Sequence, residues 1–372
     1  MRIGINARFL LDGKMEGFGW YTYEITKRLV QNHPEHEFVF FFDRPYSEKF
    51  IFGSNVTPVV IQPPARHPIL FMLWFDVAIP RALKKYKIDV FFSPDGYLSL
   101  RTKVPQIATI HDLNFEHFPK DLPFAARTYL RYFFPKFAKK AQQIITVSNY
   151  SKDDLVKTYA VKAEKISVAW NAASTVFKPV EIEQKQLIRN SYSNGKQYFV
   201  FVGSLHPRKN IPRLLKAFEI YCANQSNQWD MVIVGEALWN KSDNYTKFTG
   251  SINDRIHFTG RLALDDLALV VGSASCMTYV PYFEGFGIPL VEAMNCGVPI
   301  ICGNLTSLPE VAGDSAIYCD PFDVDDIAKA MILLSEDNDF QNRLSACGLE
   351  RSKLFSWETS AEIVWKQIEK FG

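Results

Sequence analysis

Short apolar runs alternate with amphipathic segments along most of the chain. The first half contains seven such runs: IGINARF, EFVFFF, TPVVIQ, VFFSP, QIATIHD, QIITVS and KISVAW. The second half contains six more: YFVFVG, DMVIVG, RIHFTG, CMTYVP, PIICG and AIYCD. Nearly continuous apolar runs are typical of strands that helices bury on both faces, so we predict parallel sheets. The alternation with helical segments predicts a doubly wound α/β fold.

The strand series breaks once, after the segment ISVAWNAASTVFKP. A polar helical segment, 180–196, follows, and a new strand series begins at Tyr198. A length of 372 residues is enough for about two domains. We predict two Rossmann-like domains facing each other across a cleft: 1–175 with a returning C-terminal helix, 357–372, and 176–356. Such sheets bind ligands at the carboxyl ends of their strands.

Composition narrows the class of protein. The chain is 47% hydrophobic and 22% charged with a net charge of +2, which is typical of a globular protein and argues against nucleic-acid binding. The six cysteines form no CxxC pair, which favours reduced, buried thiols. The N-terminus reads as a first strand rather than a signal segment, and no stretch reaches the roughly 18 apolar residues of a membrane span. We therefore expect a cytoplasmic protein.

The segment VFVGSLHPRKN ends a strand and carries two cations. Gly203 and Ser204 follow the strand, and Arg208 and Lys209 precede a helix that opens near Asn210. Two cations beside a helix N-terminus predict an anion site. A solvated basic turn is the alternative. We favour the anion site because the pair is fixed between a glycine turn and a helix cap.

A second strand end leads into EGFGIPLVEAMNCG, which holds two glutamates eight positions apart, Glu284 and Glu292. Pro289 predicts a helix start there. The N–H groups of Gly287 and Ile288 would then point at an anion. A dipole-stabilising role would account for Glu292 alone. Such a role would not account for Glu284, whose carboxylate lies on a glycine-containing loop.

Two further features lie at predicted strand ends in the first half. Gly17 and Gly19 lead into a helix, which would let backbone approach a phosphate or sugar, although a loop without a ligand fits equally well. His111 ends an apolar strand, where it could donate to a ligand oxygen or transfer a proton. A structural role is the commoner alternative for a lone histidine.

Other chemistry is not indicated by the sequence. It contains no P-loop, HExxH or GxSxG motif and no His/Cys cluster with metal spacing. The acidic run Asp323–Asp326 opens an amphipathic helix, so we interpret it as an N-cap. We predict neither a metal nor a cofactor.

These motifs resemble those of the retaining glycosyltransferases of family 4, which have the GT-B fold. EGFGIPLVEAMNCGVPII is similar to their E-x7-E signature, and VGSLHPRKN is similar to their donor-phosphate loop. CGNLTSLPEVAGDSAIYCDPFD resembles the segment after the signature, and FSWETSAEIVWKQI resembles the closing helix. The resemblance covers nearly the whole chain and is strongest from Phe199 to Trp357.

The resemblance implies a role for each matching residue. Glu284 would contact hydroxyls of the transferred sugar, Glu292 the ribose, and Arg208 and Lys209 the diphosphate. His111 would reach the sugar, the Gly17–Gly19 loop would close over phosphates and acceptor, and Gly260, Arg261 and Leu262 would lie near the base. The implied catalytic residues are Glu284, His111, Arg208 and Lys209. The implied donor-binding residues are Gly17, Gly19, Gly203, Ser204, Arg208, Lys209, Arg261, Leu262, Glu284, Phe286, Gly287, Ile288 and Glu292. Many members carry Arg where this chain has Ser204.

The activity implied by the resemblance is retaining transfer of a hexose, mannose or glucose, from a GDP- or UDP-sugar. The acceptor would be a glycan or a lipid-linked glycan in cell-surface polysaccharide synthesis. Domain 1–175 with 357–372 would bind the acceptor, and domain 176–356 would bind the donor. Two alternatives stay open. A sugar-nucleotide epimerase of the GT-B type would turn over without an acceptor, and a non-catalytic nucleotide-sugar or glycan-binding subunit would bind without transfer.

The segment FAARTYLRYFFPKFAKKA concentrates aromatic and basic residues. Its predicted apolar stripe comprises Ala126, Leu130, Phe133, Phe137 and Ala141, beside Arg127, Arg131, Lys139 and Lys140. We favour a core helix with a solvated basic face. The alternative is peripheral docking to an anionic membrane at its inner face, with residues 70–75 contributing.

Overall fold

A computed structural model describes residues 1–13, 15–65, 67–224, 229–236 and 250–372. The chain divides into two compact units. The first unit comprises Met1–Asn171 together with Ser356–Gly372, and the second comprises Ala172–Phe355.

The first unit is built on a seven-stranded sheet. Its strands are β1 (Arg2–Asn6), β2 (Glu37–Phe42), β3 (Val56–Val60), β4 (Val90–Ser93), β5 (Gln106–Thr109), β6 (Gln143–Thr146) and β7 (Ile166–Val168). Their order in the sheet is β3-β2-β1-β4-β5-β6-β7, and every neighbouring pair is parallel. Five successive residues of β2 are buried. Because successive side chains point to opposite faces, both faces of this strand must be covered.

Helices follow most of these strands. They are α1 (Gly17–Asn32), α2 (Pro68–Leu73), α3 (Ile79–Lys85), α4 (Asn114–His117), α5 (Phe124–Lys140) and α6 (Asn149–Tyr159). A π-helical turn, Trp74–Ala78, joins α2 to α3. Short 3-10 turns are Glu48–Phe50, Pro119–Asp121 and Ala163–Lys165.

Helix α5 carries much of the aromatic surplus. Its buried side chains are Tyr129, Phe134, Phe137 and Ala138. The predicted stripe is therefore correct only in part, because Leu130 and Phe133 are partly exposed. Phe134 instead packs against Tyr97, with ring centroids 5.2 Å apart.

The second unit repeats the architecture with six strands. They are β8 (Tyr198–Val202), β9 (Asp230–Val234), β10 (Ile256–Gly260), β11 (Cys276–Tyr279), β12 (Ile300–Gly303) and β13 (Ala316–Cys319). The order is β10-β9-β8-β11-β12-β13, again with parallel neighbours. The prediction of two parallel-sheet α/β domains is confirmed. The direction of the strand order changes once in each sheet, between the neighbours β1 and β4 in the first and between β8 and β11 in the second. Sheets of this kind bind ligands at that switch point.

The helices of the second unit are α7 (Ile182–Ser193), α8 (Ile211–Asn224), α9 (Leu264–Ser273), α10 (Ile288–Asn295), α11 (Leu308–Ala312), α12 (Val324–Glu336) and α13 (Asn338–Ser352). Its 3-10 turns are Pro207–Lys209, Gly250–Arg255 and Gly313–Ser315. The predicted N-cap is confirmed, since the Asp323 carboxylate accepts from the backbone N–H groups of Asp325 and Asp326.

The last helix, α14 (Trp357–Ile368), packs on α1 in the first unit. It ends in the 3-10 turn Glu369–Phe371. Arg28 of α1 forms an ion pair with Glu358 at 2.8 Å. At the other end of the helix, Trp365 stacks on His33 with ring centroids 3.5 Å apart.

The six cysteines are free thiols, and the prediction that they are buried is correct for four of them. Cys276, Cys296, Cys302 and Cys319 are buried, Cys222 is partly buried and Cys347 is exposed. Among the residues that the structure describes, no helix is both long and apolar enough to cross a membrane.

Candidate active site

The turn after β8 is fixed by backbone conformation and by one asparagine. Gly203 packs so closely on Gly235 that a Cβ at Gly235 would lie 1.9 Å from the Gly203 carbonyl oxygen. Asn210 has a left-handed conformation with φ of 65° and caps the Pro207–Lys209 turn. Its side-chain amide donates to the carbonyl oxygens of Val280 and Pro321 at 3.0 and 2.6 Å. The turn that carries the two cations is therefore tied to the loop that follows β11.

The loop after β11 is held from the opposite side. Gly287 has φ of 97°, and a Cβ there would lie 2.9 Å from a methyl group of Leu308. The Ser307 hydroxyl contacts the carbonyl oxygens of Glu284 and Phe286 at 3.0 and 3.1 Å. Helix α10 begins at the residue after Gly287, as Pro289 predicts. The loop thus has one defined path into the helix.

These two segments bring the predicted cations and the first glutamate into direct contact. Glu284 Oε1 lies 2.6 Å from Nη1 of Arg208 and 2.5 Å from Nζ of Lys209. The hydroxyl of Tyr279, the last residue of β11, donates to the same oxygen at 3.0 Å. Glu284, Lys209 and Tyr279 are all buried. We call these four side chains the Glu284 cluster.

The Glu284 cluster carries a net positive charge. Burial alone would raise the pKa of Glu284, but Arg208 and Lys209 outweigh burial and lower it to about 2. The carboxylate is therefore ionised at neutral pH, and two cations face one anion. A buried surplus of positive charge favours an anionic ligand such as a diphosphate.

The pairing itself was not predicted from the sequence. The resemblance assigns Glu284 to the sugar and the two cations to the diphosphate, as separate contacts. In this structure the three groups bond to one another instead. A donor would then present its phosphate oxygens to these two cations beside Glu284, since an ammonium and a guanidinium each carry several N–H donors.

Glu292 lies on α10, just beyond its first turn. The helix dipole acts within the first turn, so it does not explain this residue. Burial raises the pKa of Glu292 to about 7. Its side chain is partly buried in the described part of the chain. A carboxylate with a raised pKa on the helix next to the Glu284 cluster is a candidate ligand-binding group.

We expect Glu292→Gln to stabilise the ligand-free protein above neutral pH. The folded-state pKa of about 7 exceeds the ordinary value of 4.5, so wild-type stability is greatest below pH 4.5 and declines as the pH rises toward 7. Gln mimics the neutral carboxyl, and its gain at pH 8 is at most about 3 kcal/mol. Thermal melts at pH 8 and pH 5 measure the difference, which should shrink at pH 5. The exposed Glu219→Gln serves as control, and an equal gain in both variants would contradict the explanation.

The glycine pair near the N-terminus does not form the predicted loop. Gly17 and Gly19 lie in the first turn of α1, which begins at Gly17. A Cβ at Gly19 would lie 2.8 Å from the carbonyl oxygen of Phe9. Gly19 is therefore required for close packing of the helix on the backbone after β1. The two glycines therefore belong to the helix rather than to a loop before it, and their approach to a ligand stays a prediction.

His111 lies after β5, in the first unit. Its Nε2 is 2.8 Å from the carbonyl oxygen of Pro94, which can only accept, so Nε2 carries the proton. Its ring lies between Phe18 and Tyr21, with centroids 4.7 Å from each. Burial lowers the pKa of His111 despite the bond to Pro94. The neutral ring leaves Nδ1 as an acceptor, so accepting from a hydroxyl is favoured over the predicted donation.

The remaining predicted donor residues occupy varied positions. Ser204 follows Gly203 in the turn after β8, and Arg261 and Leu262 follow the edge strand β10. The Phe286 ring is buried against Phe355, with centroids 5.6 Å apart. Phe286 therefore offers only backbone groups to a ligand. In the described ranges, no group of three or more His, Cys, Asp or Glu residues is placed to hold a metal ion.

Two family models match the chain. The model described as glycosyl transferases group 1 matches residues 183–351, and the model described as glycosyltransferase family 4 matches residues 15–176. Together with the two parallel sheets, these matches define a glycosyltransferase with the GT-B fold.

Known proteins agree with this assignment. The chain is 27% identical to O-antigen chain mannosyltransferase B of Escherichia coli over 362 residues, 92% of this chain and 93% of that protein. It is 29% identical to O-antigen chain mannosyltransferase RfbU of Salmonella typhimurium over 59% of this chain and 57% of that protein. Sucrose-phosphate synthase from Thermosynechococcus elongatus superposes with a TM-score of 0.80 at 18% identity, covering 99% of this chain and 98% of that one. The chain belongs to glycosyltransferase family 4.

Proposed function

We propose that this protein is a retaining mannosyltransferase that transfers mannose from GDP-mannose to a glycan or lipid-linked acceptor in cell-surface polysaccharide synthesis. The main support for a donor site is the Glu284 cluster. Its two cations and its carboxylate lie together where the strand order of the second sheet changes direction, between β8 and β11. The choice of mannose is supported by relatives that align with most or much of the chain and are named as mannosyltransferases.

We assign donor binding to 176–356 and acceptor binding to 1–175 with 357–372. In the donor domain, Arg208 and Lys209 would bind the diphosphate, assisted by the N–H groups at the start of α10. Glu284 would orient the sugar and Glu292 would bind the ribose. The turn at Gly203 and Ser204 would lie beside the phosphates, and Arg261 and Leu262 would lie near the base. His111 is assigned to the transferred sugar.

The chemistry of Glu284 argues against a covalent enzyme intermediate. A carboxylate with a pKa of about 2 that accepts three hydrogen bonds is a weak base and a weak nucleophile. It does not fit the raised pKa that a general acid needs. Orientation of the sugar is therefore its favoured role. The leaving diphosphate would accept the proton of the acceptor, with departure and attack on one face of the sugar.

As the C–O bond to the diphosphate breaks, negative charge develops on the leaving phosphate. Lys209 is buried and Arg208 is partly buried, and fixed charges act more strongly in such surroundings than in water. Their stabilisation of this charge would be the largest contribution to the rate.

The function is tested by incubating the protein with GDP-mannose, UDP-glucose or ADP-glucose and an alkyl-linked mannosyl oligosaccharide. We expect mannose transfer from GDP-mannose, and NMR of the product should show the anomeric configuration of the donor. An inverted product would contradict retention. Conversion of the donor sugar without an acceptor would favour an epimerase. Tight donor binding without conversion or transfer to a panel of acceptors would favour a binding subunit.

We also propose that the first unit contacts an anionic membrane through α2 and α5. The two helices pack together through Phe71 and Tyr129, with ring centroids 5.5 Å apart. Apolar side chains exposed on them are Ile69, Met72, Leu73, Phe124 and Tyr132. Lys136 lies over the Tyr132 ring, and Lys139 is exposed in the last turn of α5. Apolar groups beside cations suit an anionic lipid surface.

Paired substitution Ile69→Ser and Phe124→Ser should reduce binding to anionic vesicles severalfold. These side chains are 63% and 72% exposed, so the fold should tolerate the change. Co-sedimentation with phosphatidylglycerol vesicles measures the bound fraction. The matched control is Ile182→Ser with Leu187→Ser, on α7 of the other unit, where the exposures are 80% and 65%. Absence of wild-type binding, or equal losses in both pairs, would remove the membrane proposal.

A further inference from the structure

The Glu284 cluster contains a tyrosine that no motif predicted. Tyr279 is fully buried, and its ring stacks on Phe201 with centroids 5.9 Å apart. Its hydroxyl lies 2.5 Å from Nζ of Lys209 and 3.0 Å from Oε1 of Glu284. The ammonium, the hydroxyl and the carboxylate therefore form a closed triangle, since Lys209 also contacts Glu284 directly.

The direction of each hydrogen bond follows from the groups involved. An ammonium group only donates, and an ionised carboxylate only accepts. The phenol must therefore accept from Lys209 and donate to Glu284. Burial and the neighbouring Glu284 raise the pKa of Tyr279 well above its ordinary value, so the phenol keeps the proton that it donates.

We infer that Tyr279 is a positioning residue, whose hydroxyl fixes the Lys209 ammonium where the donor's diphosphate binds and holds the Glu284 carboxylate toward the sugar. The inference rests on the proposed function. A lysine ammonium is a point charge on a flexible four-carbon stem, so it needs a partner to define its place. The hydroxyl contacts both charged groups at once, since it accepts from the Lys209 ammonium and donates to the Glu284 carboxylate.

The test is Tyr279→Phe, which removes one oxygen and keeps the ring stacked on Phe201. We expect kcat to fall roughly ten- to a hundredfold, as for loss of a hydrogen bond to charged groups, with a smaller change in the donor KM. The matched control is Tyr198→Phe. Tyr198 is equally buried in the second unit and donates to the Val270 carbonyl oxygen at 2.6 Å, away from the cluster. A folded Tyr279→Phe protein whose kcat stays within about twofold of wild type would overturn the inference.

A double-mutant cycle separates positioning from a general structural effect. If Tyr279 acts chiefly through Lys209, the substitution should cost much less in a Lys209→Met background than in the wild type. A purely structural role would give additive losses. Additive losses in kcat would therefore also overturn the inference.

The outcomes distinguish this inference from the proposed function. If the wild type transfers no sugar from any donor, the proposed function fails. In that case the affinity of the same four proteins for GDP is measured by calorimetry. We again expect the losses of binding free energy to be non-additive. If the wild type transfers sugar and the cycle is additive, only the inference about Tyr279 fails.

Discussion

Replacing Lys209 with methionine is expected to lower the rate of sugar transfer by about two to three orders of magnitude. Removal of one preorganised group that stabilises developing charge typically has an effect of this size. Methionine has a similar length and suits a buried position, so the fold should persist. Arg208 would still pair with Glu284 at 2.6 Å, which limits the structural cost. Steady-state transfer from GDP-mannose measures the effect, and most of it should appear in kcat.

The matched control is Lys216→Met, because Lys216 is an exposed lysine on the neighbouring helix α8. It should transfer sugar at the wild-type rate. A Lys209→Met enzyme that retains more than about a tenth of wild-type kcat would show that this ammonium does not stabilise the leaving group.

Replacing Glu284 with glutamine is expected to reduce both transfer and stability. Transfer should fall about a hundredfold or more, because the sugar loses the carboxylate that orients it. The variant also leaves two partly or fully buried cations without their counter-charge, at a cost on the order of 3 kcal/mol. Thermal melts at pH 7 and steady-state kinetics measure the two effects. Glu219→Gln, at an exposed position on α8, is the control.

The pH dependence of stability gives a second test of Glu284. Its folded-state pKa of about 2 lies below the ordinary 4.5, so its contribution is present above pH 4.5 and is lost as the pH falls toward 2. Glu284→Gln should remove this part of the acid sensitivity. A variant as stable as wild type at pH 7, with an unchanged acid transition, would contradict the charge pairing.

Much of the fold follows from the hydrophobic pattern alone. Thirteen apolar runs predict thirteen parallel strands, because a strand covered on both faces needs an uninterrupted apolar sequence. The positions of Arg208, Lys209 and Glu284 at strand ends follow from the same pattern. They lie together because β8 and β11, far apart in sequence, are neighbours in the sheet.

The sequence could not predict how these side chains pair. Tyr279 reads as one more aromatic residue in an apolar strand, and only the register of β11 beside β8 brings its hydroxyl to Lys209. The packing role of Gly19 could not be predicted for a similar reason. Glycine is required at this position because a Cβ would be too close to the carbonyl oxygen of Phe9. No local sequence motif indicates this tertiary contact.

The two glutamates of the E-x7-E segment also differ in a way that spacing does not show. Two cations hold Glu284 ionised, whereas burial without such partners raises the pKa of Glu292 to about 7. Binding of a ribose to ionised Glu292 would therefore weaken as the pH falls below neutrality. The same carboxylate that lowers the stability of the ligand-free protein would contribute to donor affinity.

We propose that the Glu284 cluster binds the diphosphate of a nucleotide sugar. Calorimetric titration of GDP-mannose into the wild type and into Lys209→Met tests it most directly. We predict one donor per chain for the wild type and at least about tenfold weaker binding for the variant, as for loss of a charge-assisted contact. Equal affinity in both proteins, or no binding of GDP-mannose, UDP-glucose or ADP-glucose to the wild type, would contradict the claim.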